Sequence, residues 1–125
     1  MLAEVLCRQG RYEEADKWAQ VTADLALEDD FDPRFRWRAV RARVLAHRGE
    51  FGDAETLARE GLEIVEQTDW YLHRGQAQSA LGEVLELAGR PDEARASYEH
   101  ALAEFERKGV LPEAEVTRRR LEQLG

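Results

Sequence analysis

Gly10-Arg11-Tyr12-Glu13-Glu14-Ala15 returns twice in this chain, as Gly49-Glu50-Phe51-Gly52-Asp53-Ala54 and as Gly89-Arg90-Pro91-Asp92-Glu93-Ala94. From Gly10 to Gly49 is 39 residues and from Gly49 to Gly89 is 40. Self-similarity at a fixed period of this size is the signature of stacked helix pairs, each unable to bury its apolar face alone. In each copy a glycine suited to a left-handed helix end precedes acids or a proline suited to a helix start. The stretch therefore reads as the turn between two helices of one repeat, and the chain as an array of such pairs.

The residues between the turns fit that reading. Tyr12, Ala15, Ala19, Thr22 and Ala26 recur at spacings of three and four, and the acidic Glu28-Asp29-Asp30 loop follows. Asp32-Pro33 supplies an N-cap and a first-turn proline for a helix running to about His47. Asp53, Ala54, Leu57, Ala58, Gly61, Leu62 and Val65 lay out the next helix, and Thr68-Asp69 caps another beginning near Trp70. That helix carries Ala77, Ala80, Leu81, Val84, Leu85 and Ala88; the following one, opened by Pro91, carries Ala94, Tyr98, Ala101, Leu102 and Phe105. Pro112 to Leu124 puts Ala114, Thr117, Leu121 and Leu124 on one face and reads as a capping helix with a polar outer side. The fold class expected is all-α, one domain over residues 1–125, with repeats at about 1–31, 32–68 and 69–109 and a cap at 110–125. The first repeat opens in mid-helix at Leu2, without an N-cap, as a fragment of a longer protein would.

Composition narrows the function classes. The 125 residues hold 18 Lys and Arg against 26 Asp and Glu, a net charge of −8, which opposes a nucleic-acid surface. A single cysteine, Cys7, rules out an internal disulfide framework and a cysteine-based zinc site, and points to a reducing, cytoplasmic setting. No run approaches the ~18 apolar residues of a membrane span. His47, His73 and His100 lack metal-ligand spacing, and no carboxylate pair is accompanied by the His, Ser or glycine-rich loop that catalysis would use. No enzyme, cofactor or metal is expected.

Against the acidic average, Pro33 to Arg48 contains six arginines and no acid. At 100° per residue Arg34, Arg38, Arg41 and Arg48 share one stripe, with Arg36, Arg43 and His47 nearly opposite. Phe35, Ala39, Ala42 and Ala46 fill one flank between them and Trp37, Val40 and Val44 the other, the pattern of a helix wedged between two neighbours. Trp18 and Trp37 are expected in the core.

The Gly-x-aromatic-x-x-Ala turn, the small-Leu pairs Gly61-Leu62 and Ala101-Leu102, and the set Leu81, Gly82 and Leu85 resemble the tetratricopeptide repeat over essentially the whole chain. The period exceeds the usual ~34 residues, Pro91 replaces the third aromatic, and Arg38 and Arg41 occupy positions that are usually large and apolar. Long repeats of this kind resemble those of kinesin light chains. With Arg36-Trp37-Arg38-Ala39-Val40-Arg41-Ala42 and Leu87-Ala88-Gly89-Arg90-Pro91-Asp92-Glu93-Ala94, they also resemble the C-terminal tails of bacterial adenylate/guanylate cyclase and ATPase-type transcription-activator proteins.

The resemblance implies a right-handed solenoid whose concave groove docks a protein or peptide segment, or another domain of the parent chain. In that register the groove residues are Arg36, Arg43 and His47 with Ala39 and Ala46, then Gln76, Ser79, Glu83 and Glu86, with Glu4, Cys7 and Arg8 in the first repeat. Planar guanidiniums there would favour carboxylate or phosphate. The plainer expectation is a solvated face whose arginines pair internally with Glu13, Asp16, Glu50 or Glu55. A small-anion sensor and a homodimer formed through the truncated first repeat are the other functions weighed.

Overall fold

The computed structural model describes residues 10–25, 31–68 and 71–124. Every regular element among them is an α-helix: α1 (Tyr12–Leu25), α2 (Phe31–His47), α3 (Phe51–Glu66), α4 (Tyr71–Leu87), α5 (Pro91–Lys108) and α6 (Leu111–Gln123). Asp32 and Pro33 fall inside the first turn of α2 rather than before it, a shift of the size that fraying helix ends allow. Thr68 bonds backward, its hydroxyl donating to the Val65 carbonyl at 2.7 Å. Asp69, Trp70 and the expected first-repeat residues Glu4, Cys7 and Arg8 lie outside the described residues.

The repeated turn has one construction. Gly49 sits at φ +83° and Gly89 at +78°, where a Cβ would be strained. At the first, the Glu50 amide donates to the Leu45 carbonyl at 2.9 Å and the Gly49 amide to Ala46 at 3.1 Å. At the second, Arg90 donates to Leu85 at 2.9 Å and Gly89 to Glu86 at 3.1 Å. These paired bonds satisfy carbonyls that the end of a helix would otherwise leave open. Four residues after Glu50 and Arg90, Ala54 and Ala94 close the first turn of the next helix and are fully buried.

The same turn occurs once more, where the sequence pattern is easily passed over. Gly109-Val110-Leu111-Pro112-Glu113-Ala114 joins α5 to α6: Val110 donates to Phe105 at 2.9 Å, Gly109 to Glu106 at 3.1 Å, and Ala114 is fully buried. It lies 20 residues after Gly89 rather than 40 and so falls between two spacings of the repeat. As a result α6 folds back on α5, through a smaller contact than α5 makes with α4.

Helix α2 buries both flanks, as its sequence predicts. Val40 and Val44 pack with Ala15 and Ala19 of α1, where Tyr12, Trp18 and Trp37 lie half-buried. Phe35 and Ala39 pack with Ile64, Val65, Ala77 and Ala80 of α3 and α4. Ala42, Leu45 and Ala46 join the largest cluster, with Ala54, Ala58, Leu81, Val84, Leu85, Ala94 and Tyr98. The departures at Arg38 and Arg41 are accommodated by extension of the long side chains toward polar partners. Arg38 donates to the Arg34 carbonyl at 2.8 Å and to Glu60 at 3.2 Å, and lies 4.4 Å from the Trp37 ring centroid. Arg41 donates to Gln20 at 3.0 Å and sits 3.4 Å from Asp16.

Helices α4 and α5 approach so closely that two positions on α4 admit no side chain. A Cβ on Gly75 would stand 2.5 Å from the Phe105 ring, and one on Gly82 2.7 Å from the Tyr98 ring. Both rings are almost wholly buried. Gly61 on α3 is different, since an added Cβ would meet Phe35 at an ordinary 3.6 Å.

Gly61→Ala and Gly82→Ala should therefore move stability in opposite directions. The first gains helix propensity, up to about 1 kcal/mol. The second gains the same propensity but overpacks a ring with nowhere to retreat, at a cost of about 1–3 kcal/mol, for a net loss of up to about 2 kcal/mol. Urea unfolding followed by circular dichroism measures both; equal effects would contradict this packing.

Candidate functional site

Helices α2, α4 and α6 present the side chains that their pairing with α3 and α5 leaves over, and together they enclose a groove of about 380 Å³. Phe35, Ala39, Arg43 and His47 come from α2, and Gln76, Ser79 and Glu83 from α4. Pro112, Glu113, Val116, Thr117 and Arg120 come from α6, Phe105 from the end of α5, and Tyr12 from the start of α1. The spacing is that of one helix face, with 35, 39, 43 and 47 four apart along α2.

Six of the twelve residues expected from the sequence are on this wall: Ala39, Arg43, His47, Gln76, Ser79 and Glu83, while Ala46 and Glu86 are off it and Glu4 and Cys7 lie outside the described residues. Arg36 is half-buried on α2 and is not part of the lining, and Arg8 lies outside the described residues. The sequence reading missed the whole contribution of α6, together with Tyr12, Phe35 and Phe105. The signal that would have found α6 is its own Gly109-to-Ala114 turn, which marks it as folded back on α5 and so placed beside α4 as the first helix of a further pair.

The polar centre of the groove is an ion cluster. Arg43 and Glu83 occupy the same position of consecutive repeats, 40 residues apart, and Arg43 Nε donates to Glu83 Oε2 at 2.8 Å. The Glu83 Oε1 atom lies 3.3 Å from His47 Nε2, and the His47 ring stacks on Tyr12 with centroids 4.4 Å apart. From α6, Arg120 adds its charge near Glu83 and donates to the Tyr98 hydroxyl at 3.3 Å, while that hydroxyl donates to Glu86 at 2.8 Å. Burial pushes the Glu83 carboxyl up, but the charges of Arg43 and Arg120 and the contacts from His47 and Arg43 prevail and hold it below its ordinary 4.5. Burial raises the Tyr98 phenol well above its usual range, so it remains a neutral donor.

The arginine helix thus satisfies itself internally, with Asp16 as expected and otherwise with different partners. Asp16 takes Arg41 and also Arg48, at 3.5 Å, but Glu55 takes Arg59 and Arg90, which hold its carboxyl low. Glu83 and Glu60 are the acids that the sequence did not nominate. Across the repeats Glu83 follows Arg43 at the position where like charges would repel, which is why the pair closes across the groove floor. Among the described residues no group of three or more His, Cys, Asp or Glu could hold a metal ion, and no helix is long and apolar enough to cross a membrane.

Glu83→Gln should lower stability at neutral pH by about 1–3 kcal/mol, because Arg43 and Arg120 lose their shared counter-charge in a half-buried site. A carboxyl held low in the folded state stabilises fully above its unfolded value and loses that contribution as pH falls through the folded value. The gap between the two proteins should accordingly narrow as pH drops below 4.5, and urea titrations from pH 7 to pH 3 measure it.

A comparison with family models agrees with this architecture. A model described as tetratricopeptide repeat matches residues 37–107, from within α2 to near the end of α5, and a second of the same description matches residues 1–27. No curated protein matches the chain. With helix pairs in register, a glycine at each tight turn and small residues where helices meet, the chain belongs to the tetratricopeptide-repeat family.

Proposed function

We propose that this chain is a docking module that holds a segment of another protein, or of another domain of its parent, in the groove between α2, α4 and α6. Tetratricopeptide repeats are in general non-catalytic protein-interaction modules, which sets the class. The observation that carries the assignment to this surface is the groove itself: about 380 Å³, with apolar and polar side chains facing one space. Its size falls within the roughly 300–1,000 Å³ of ligand-binding clefts. The groove charges are also prearranged, since Arg43 and Glu83 fix one another before any partner arrives. This favours a peptide over a small anion, which would have to displace Glu83 to reach Arg43.

The wider setting follows from the sequence resemblances. We read the chain as a regulatory array of a larger bacterial signalling or transcription-regulating protein, working in the cytoplasm, with the repeats divided at about residues 31, 68 and 109. In such a protein the mechanism is occupancy: a segment held in the groove is withheld from, or presented to, the attached domains, and its affinity for the groove sets the balance.

A photoreactive benzoylphenylalanine at Ser79, on the groove floor, should crosslink to a partner protein or to another part of the parent chain. The same group at exposed Glu99 of α5 should not. Mass spectrometry of the adducts from cells expressing each variant reads the result, and equal labelling from both positions, or none from Ser79, would sink the proposal.

A further inference from the structure

The groove is polarised along its length, and the polarity specifies what it holds. Toward the N-terminal ends of α2 and α6 the wall is mostly apolar, formed by Phe35, Pro112 and Val116 with Phe105 from the end of α5, and Glu113 is the charged residue there. Toward the C-terminal halves of α2, α4 and α6 stand Arg43, Glu83 and Arg120, with Gln76 and Ser79 between the two ends. The Phe35 and Phe105 rings are only 1% and 2% exposed and form a covered base, whereas Val116 is 49% exposed and forms an open wall. An apolar group left in water at the mouth of a cleft gains by being covered.

Charge does not select the occupant. Arg43 and Arg120 are balanced on the same wall by Glu83 and Glu113, so neither an acidic nor a basic segment gains a net attraction. Discrimination then falls to shape, apolar area and hydrogen bonding. Here Gln76 matters, because its Oε1 atom is buried with no hydrogen-bond partner. A side-chain amide in that state gains from any donor brought beside it, and a turn about its own torsions offers the acceptor to the groove. The space exceeds the roughly 150 Å³ of an apolar cavity that accepts a benzene ring.

We propose that the groove grips its partner by one tryptophan or tyrosine side chain, seated against Phe105, Pro112 and Val116 with its N–H or O–H directed to Gln76. Such a side chain unites an apolar body with a donor at its edge, which is the combination these residues leave unfilled. The inference rests on the groove being the docking surface.

Titration of the isotope-labelled protein with N-acetyltryptophanamide, N-acetylleucinamide and inorganic phosphate, followed by NMR, tests it. The tryptophan probe should shift the Gln76 side-chain amide and the backbone signals of Phe105 and Val116, saturating at millimolar concentration. The leucine probe should bind at least about threefold more weakly, because it leaves the Gln76 acceptor unpaired. Phosphate should shift none of these signals. Gln76→Leu should bring the two amino-acid probes to parity, and Val116→Asp, at an exposed position, should weaken the tryptophan probe while leaving the spectrum otherwise intact. Leucine binding as tightly as tryptophan, phosphate shifting the groove, or groove signals moving with protein concentration alone, as a second copy would cause, each overturns the aromatic anchor. If no probe shifts the groove while the Ser79 crosslink persists, the anchor alone fails; if the crosslink is also absent, the docking surface fails with it.

Discussion

The structure depends on one turn. A glycine in the left-handed region lets two amides reach back to the carbonyls of the helix just ended, and five residues later an alanine with no exposed surface lets the next helix lie close against it. Either half without the other would fail. A glycine end followed by a large residue would splay the helices, and an alanine contact without the turn would have no fixed direction. Because the geometry recurs at Gly49, Gly89 and Gly109, each junction sets the approach of the next helix in the same way, and the core clusters form as a consequence of that approach.

Close approach has to be matched from the other side. On α4, Gly75 and Gly82 receive the rings of Phe105 and Tyr98, so the large residues of one helix enter the gaps of its neighbour. Tyr98 then does more than fill space. Its hydroxyl joins Glu86 on α4 to Arg120 on α6, which couples the packing of the last helix pair to the charged end of the groove. Arg43 and Glu83 tie α2 to α4 in the same region, so the groove floor is held by contacts between helices that are distant in sequence.

The two functions of the surface charge separate cleanly in space. On α2 the stripe of Arg38, Arg41 and Arg48 is neutralised by Glu60 and Asp16 of the flanking helices, which lets a helix rich in arginine sit between neighbours. The opposite side of the same helix carries Arg43 and His47 into the groove. Placing these residues in a charge-balanced cleft with an apolar end changes their meaning, from an attraction for anions to a frame beside an apolar seat.

By itself the sequence determined the repeat, the helix pairs and the register, because turn glycines, first-turn acids and prolines, and apolar spacing are local signals that act within a few residues. Register in turn selected Arg43, His47, Gln76, Ser79 and Glu83, since equivalent positions of stacked repeats must face the same side. Only the tertiary structure decided which acids the arginines meet, that Arg36 stands off the groove wall, and that α6, Phe35 and Phe105 complete the groove. Those outcomes depend on distances between residues far apart in the chain, and such distances are set by how closely each helix pair packs, which no local pattern encodes.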